Sequence, residues 1–311
     1  MAVVIMGPTA SGKSEIAARL ARRFGGWILS VDSMAVYRGL DIGTSKPSPE
    51  IRREIPHRGL DLAEPDEDYS VGDFLREADR ALGEMRAAGA LPILVGGSGL
   101  YLRAVLKGVS ELPRRDPALR GRLRELEADG GTQALHRLLE RQDPASARRI
   151  APADRQRVVR ALELAASGVT DAVGKPRAEW LGPDRFVNLK IGLRRGREEL
   201  ARRIRERADG FLRAGLLEET RALLARPGAP GNALKALGYR EMAAHLRGEC
   251  DLAAARETMI RATIQYAKRQ MTWFRKEPEV RWFDLQGPAA AAAEEIGDYV
   301  AGRIGSASSR G

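Results

Sequence analysis

Residues 2–14 read AVVIMGPTASGKS. Five apolar residues run into Gly7, the pattern of a short buried strand. Behind them, Ile16, Ala17, Leu20, Ala21 and Phe24 recur at helical spacing within 14–24. The stretch between, Gly7, Pro8, Thr9, Ala10, Ser11, Gly12, Lys13 and Ser14, satisfies G-x-x-x-x-G-K-[ST] in the strand–loop–helix context that gives this motif meaning. The spacing follows from chemistry. Glycines let backbone N–H groups turn inward around phosphate oxygens. A helix N-terminus adds the positive end of its dipole. Lys13 brings a point charge, and the Ser14 hydroxyl can ligate Mg²⁺. The stretch therefore predicts an α/β fold around a parallel sheet, and a bound phosphate ester. It leaves open a kinase, an NTPase or an enzyme that uses another pyrophosphate ester.

Outward from this loop the alternation continues. Strands are expected at 27–31, 91–95, 186–193 and 280–285. Helices are expected at 71–88, 100–106, 198–225 with a break near Gly215, 233–246 and 252–275. Between 113 and 186 the pattern changes to helices alone, at 117–129, 131–141, 144–150 and 154–167. The simplest organisation is a P-loop α/β core, residues 1–112 with 187–290, interrupted by a helical insertion at 113–186. The tail 305–311, GSASSRG, reads as disordered. The second strand ends in Asp32 and the third in Gly96, Gly97 and Ser98. In an open α/β sheet, ligands bind at that edge. Asp32 is thus a candidate general base or magnesium partner, against a bland role as a turn cap.

Composition narrows the class. The 311 residues carry 52 Lys and Arg against 42 Asp and Glu, net +10. From Arg114 to Arg207 there are 23 basic and 14 acidic residues, so nearly all of the excess lies there. A basic segment in a near-neutral chain points to nucleic acid, though solvated helices give the same count. One cysteine, Cys250, excludes an internal disulfide framework. Three scattered histidines argue against a His-rich metal site, and His57 reads as structural. No apolar run approaches the ~20 residues that span a bilayer. The N-terminus lacks the basic and apolar regions of a secretory signal. These features predict a cytoplasmic chain with no membrane association.

Seven blocks, in order, resemble the tRNA dimethylallyltransferases (tRNA isopentenyltransferases): GPTASGKS (7–14), DSMAVYRGLDIGTSKP (32–47), PHRGLDLAEPDEDYSVGDF (56–74), VGGSGLYL (95–102), DRQRVVRALEL (154–164), LGYREM (237–242) and QYAKRQMTWFR (265–275). The resemblance implies transfer of a dimethylallyl group from dimethylallyl diphosphate to N6 of adenosine 37, in tRNAs reading codons that begin with U. The phosphate loop would hold the leaving diphosphate, with Mg²⁺ as cofactor at Ser14, in a monomer. Asp32 would take the proton from N6. Ser98 would touch the incoming nucleotide, and Arg207 would clamp the diphosphate. Asp32, Ser33, Met34, Ala35 and Ser98 would meet the target nucleotide. Arg120 and Gln156, Arg157, Val158, Val159 and Arg160 would hold the anticodon stem-loop. Leu237, Gly238, Tyr239, Arg240 and Glu241, with the helix at 265–275, would add RNA contacts, while Trp273 and Phe274 read rather as core.

Three positions depart from the family pattern. Ala35 stands where the family has a Gln whose amide would read or orient the adenine, Ile264 replaces an Arg, and Ser98 replaces Thr with its hydroxyl kept. The first bears on specificity more than on chemistry. Two other classes compete. A small-molecule kinase would not explain the basic insertion. A nucleotide-gated RNA-binding protein would not explain Asp32 near the loop.

Overall fold

The computed structural model describes residues 1–311 except 110–111, 114–115, 175–179, 181, 229–230 and 309–311, and omits the side chains of 305–308. It divides into two compact units, residues 1–108 with 184–311, and residues 109–183.

The larger unit is built on a six-stranded sheet in the order β3-β2-β4-β1-β5-β6. Its strands are β1 (Ala2–Met6), β2 (Gly26–Val31), β3 (His57–Arg58), β4 (Leu91–Gly96), β5 (Asn188–Arg194) and β6 (Arg281–Asp284). Every pairing is parallel. Central strands buried on both faces need continuous apolar runs rather than alternation, and AVVIM and PILV are such runs. Met6 is level with Gly96 and with Gly192, and Val31 is level with Gly96, so the chain leaves β1, β2 and β4 at one edge.

One face of the sheet buries Ile16, Leu20 and Ala21 of α1 (Lys13–Phe24) together with Ala293, Ile296 and Val300 of α12 (Ala289–Ser308). The other packs against α3 (Val71–Ala87), α4 (Gly99–Lys107), α8 (Arg197–Arg213), α9 (Leu216–Leu224), α10 (Tyr239–Leu246) and α11 (Leu252–Phe274). Ser70 and Asp73 close a reciprocal capping box at the start of α3.

Three elements were not legible in the sequence: α2 (Pro49–Glu54), the two-residue β3, and α12. The expected disorder from 305 is corrected in part, because α12 stays helical to Ser308; residues 309–311 lie outside the described residues. The expected helix at 233–246 splits into a 3₁₀ turn (Ala233–Lys235) and α10, because Gly238 breaks it at φ 96°.

The smaller unit is helical: α5 (Pro117–Gln142), α6 (Pro144–Ala147) and α7 (Arg155–Ala166). Gly131 interrupts α5 where two separate helices were expected. Leu123, Leu135, Leu139, Ile150, Val158 and Leu162 form its own core.

Candidate active site

The loop between β1 and α1 is held from outside by cations. Lys13 Nζ donates to the carbonyl of Pro8 (2.7 Å), Arg203 Nε to that of Ala10 (3.0 Å) and Arg195 Nε to that of Ser11 (3.0 Å). The N–H groups of the first two of these peptides are also bonded, Thr9 N–H to Gln270 Oε1 (2.7 Å) and Ser11 N–H to the Pro8 carbonyl (3.3 Å), so these bonds fix the shape of the loop. Arg207 binds the loop's side chain instead. Its guanidinium donates to Thr9 Oγ1 (2.6 Å) and Ser45 Oγ (2.6 Å), and lies 5.0 Å from the Phe211 ring centre. Arg203 also makes a long ion pair with Glu199 at 4.0 Å.

Burial and, after it, the nearby Arg207 charge pull the Lys13 ammonium down to about 7, with Asp32 acting in the opposite sense. Asp32 also acts electrostatically on Arg207 and on the Tyr266 phenol. The four groups therefore converge. Asp32 follows β2, which is not adjacent to β1, because β4 lies between them. What brings it near is the pair of glycines ending β4. A Cβ on Gly96 would stand 2.0 Å from the Val31 carbonyl oxygen, and one on Gly97 would stand 2.1 Å from Gln270 Nε2. One Asp32 oxygen caps the turn that follows, accepting from the N–H groups of Met34 (2.8 Å) and Ala35 (3.3 Å). The bland and the catalytic readings of Asp32 are thus compatible, since a carboxylate has two oxygens.

Gln270 is a site residue that sequence reasoning missed. It is buried, accepts the Thr9 N–H (2.7 Å) and donates to the Gly97 carbonyl (2.9 Å). The signal was its helical spacing from Tyr266 and Trp273 on α11. Burial and the Asp32 charge raise the Tyr266 phenol to about 12, with Ser98 and Gln270 acting in the opposite sense. Ser98 Oγ accepts from the Ser33 N–H (3.1 Å). Hydrogen bonds thus join Ser33 to Ser98, and Gly97 through Gln270 to Thr9 and Arg207.

Some of these groups border a cavity of about 320 Å³. Its polar wall includes Thr9, Asp32, Ser33, Arg207 and Tyr266, and its apolar wall is Ile204, Ala208 and Phe211 on one face of α8, with Met34, Leu237 and Met259.

Other expected site residues fall elsewhere. Ala35 is 3% exposed and does not border the cavity, so neither it nor a Gln placed on the same backbone is set to read a base there without displacing its packing. Gly238, Tyr239 and Glu241 are buried. Tyr239 bonds Glu219 and accepts from Gly43 N–H (3.1 Å), and Glu241 caps α10 through Gly238 N–H (2.8 Å). They brace the 41–45 loop and α10, and only Leu237 and Arg240 of that motif reach the cavity. In the insertion, Val158 and Val159 are core. Arg120 and Arg160 both bind the buried Glu163, and Arg160 also donates to the Pro113 carbonyl (2.8 Å). Gln156 and Arg157 are exposed. Phe274 is core as expected, whereas Trp273 is 36% exposed and lies beside Arg103. His57 holds the Ile55 carbonyl (2.6 Å), a structural role.

Among the described residues no group of three or more His, Cys, Asp or Glu could hold a metal ion. Mg²⁺ keeps several waters and takes few protein ligands when it arrives with a phosphate substrate, so the Ser14 hydroxyl at the start of α1, with Asp32 nearby, is a donor set that fits it in that form only. No described helix is long and apolar enough to cross a membrane.

Comparison with known proteins agrees with this geometry. The family model described as IPP transferase matches residues 35–277, and one described as isopentenyl transferase matches residues 1–55. The tRNA dimethylallyltransferase of Geobacter sulfurreducens is 45% identical over 288 residues, covering 91% of each chain. That of Anaeromyxobacter dehalogenans strain 2CP-C is 48% identical, covering 90% of this chain and 93% of its own. The crystal structure of the tRNA isopentenylpyrophosphate transferase from Bacillus halodurans superposes with a TM-score of 0.72 at 37% identity, over 99% of this chain and 97% of that one. A eukaryotic dimethylallyltransferase acting on tRNA gives a TM-score of 0.73 at 25% identity, over 91% and 73%. A shared fold, ordered motifs and near full-length identity place this chain in the tRNA dimethylallyltransferase family.

Proposed function

We propose that this chain transfers a dimethylallyl group from dimethylallyl diphosphate to N6 of adenosine 37 in tRNAs reading codons that begin with U. The observation that carries this reading is one cavity with an apolar wall, lined also by Asp32, Arg207 and Tyr266, with the Lys13 ammonium coupled electrostatically to Asp32 and Arg207. The phosphate loop, Lys13 and Arg207 bind the diphosphate, and the wall on α8 accepts the prenyl tail. The N6 amine attacks C1 of the allyl group, the C1–O bond breaks, and diphosphate leaves with the electron pair. N6 becomes strongly acidic as its bond to carbon forms, and Asp32 takes the proton. Ser14 would hold Mg²⁺, which would neutralise charge on the leaving diphosphate. A base in a single-stranded loop costs less to extrude than one in a duplex, which suits an anticodon loop. The exposed Arg157 and Gln156 of the insertion, with the other exposed basic residues of α5, are the proposed contacts for the anticodon stem. A kinase reading gains nothing from an apolar wall facing the phosphate loop.

General-base help is worth about 10² to 10⁴ in rate. Asp32→Asn is therefore expected to slow single-turnover prenyl transfer by about that factor at saturating donor, with tRNA affinity little changed. Near-normal turnover with weakened magnesium dependence would instead place Asp32 beside the metal.

A further inference from the structure

The phosphate loop and α8 meet residue by residue. Arg195, just before the helix, holds the Ser11 carbonyl (3.0 Å). Arg203 holds the Ala10 carbonyl (3.0 Å), and one turn on, Arg207 donates to Thr9 Oγ1 (2.6 Å). Moving along α8 toward its C-terminus therefore means moving back along the loop, from Ser11 to Thr9. The cavity opens at that last contact: Thr9 and Arg207 border it, and the next side chains along α8 that do so are Ala208 and Phe211.

Residues i and i+4 share one face of a helix, about 6 Å apart along its axis. Phe211 thus stands one turn beyond the Arg207 clamp on the same face. Its ring is held in place. The Arg207 guanidinium lies 5.0 Å from the ring centre, and the ring packs against the core of the larger unit. Ala208 projects little into the space between, whereas Phe211 is the largest apolar side chain on the cavity wall.

A dimethylallyl group is about as long as one helical turn, and a geranyl group about twice that. We infer that Phe211 is a specificity-determining residue that sets the length of the prenyl donor: one five-carbon unit fits between the Arg207 clamp and the Phe211 ring, and a second unit joined to it meets the ring. The inference rests on the prenyl-transfer reading above and deepens it, since it names what admits a dimethylallyl donor and turns away its ten-carbon homologue. Such a stop also serves the acceptor. Tail and adenine share one cavity of about 320 Å³, so a longer tail takes volume that the base has to enter.

The test uses the full chain, an anticodon stem-loop with adenosine at position 37, and two donors, dimethylallyl and geranyl diphosphate. Both react by the same displacement and differ in tail length alone. Wild type is expected to favour the shorter donor in kcat/KM by at least about a hundredfold, since a single misfitting methylene already costs about 10- to 200-fold. Phe211→Leu and Phe211→Ala are expected to narrow that preference in steps, the second by at least about tenfold, with geranylated adenosine identified by mass spectrometry. A phenylalanine that only braced Arg207 would, when replaced, slow both donors alike and leave their ratio as in wild type. That result, or equal use of the two donors by wild type, would overturn the inference. Phe211→Leu keeps an apolar side chain in the wall and serves where Phe211→Ala does not fold. Absence of any prenylated adenosine with wild type and dimethylallyl diphosphate would count against the reaction itself, which is a separate failure.

Discussion

Lys13 is the residue whose chemistry changes most on binding. Its ammonium sits at about 7 in the free site, pulled down by burial and by Arg207. A bound diphosphate favours the charged form and raises that value. Donor affinity should be full below about pH 7 and then fall by up to tenfold per pH unit, levelling off once the raised bound-state value is passed. Calorimetry of an unreactive thio-analogue of the donor in two buffers of different ionisation enthalpy should show close to one proton taken up at pH 8.5. No uptake would mean that Lys13 is already charged in the free site. Gln270 offers a second test. Gln270→Ala leaves the Thr9 N–H and Gly97 carbonyl short of a partner, so it should cost about 1–3 kcal/mol in denaturant unfolding. It should also weaken donor binding, because the loop is no longer tied to α11. These two residues differ in legibility. Lys13 belongs to a local motif, whereas Gln270 acts across 261 residues of chain.

At the scale of elements, α7 was legible as an amphipathic basic helix, but the use of its arginines was not. The periodicity predicts which positions face inward. It does not predict that Glu163, on the buried face, takes Arg120 of α5 and Arg160 of α7 as partners. Removing a partner from a buried charge is costly, so Arg120→Ala should destabilise the insertion by on the order of 3 kcal/mol, with Arg160 still in place. Thermal unfolding of the variant checks this; an unchanged transition would return Arg120 to the RNA surface. The apolar spacing of α8 was likewise visible in sequence. That Ile204, Ala208 and Phe211 face a cavity rather than a sealed core follows from the packing of α10 and α11 against the same face of the sheet.

For the whole molecule, the basic excess divides by location. Arg195, Arg203 and Arg207 are spent on the phosphate loop, and Arg120, Arg149, Arg155 and Arg160 on acidic partners within the insertion. Fewer arginines than the charge count suggests are left to face RNA phosphates. RNA affinity should still fall steeply with salt, since each phosphate neutralised adds about 0.7 to 0.9 to the log–log slope. Arg157→Ala should remove one such increment. Arg160→Ala should leave the slope unchanged while lowering stability. Titrations of an anticodon stem-loop at several salt concentrations separate the two; an unaltered slope in Arg157→Ala would take that residue off the interface.

The sequence by itself determined the parallel α/β core, the phosphate loop and the insertion, because a continuous apolar run, a glycine-bracketed lysine and a change of periodicity are local signals that packing does not need to complete. It also placed Asp32 at a strand end. Only the tertiary structure decided what those parts meet. The order β2-β4-β1 put a glycine-ended strand between Asp32 and the loop, and the absent side chains of Gly96 and Gly97 let Val31 and Gln270 close in. It buried Ala35, Tyr239 and Glu241, which sit inside motifs yet serve as packing and bracing. It also turned Tyr266 and Gln270 of α11 onto the site. Contacts of that kind join residues far apart in the chain, and no local pattern encodes them.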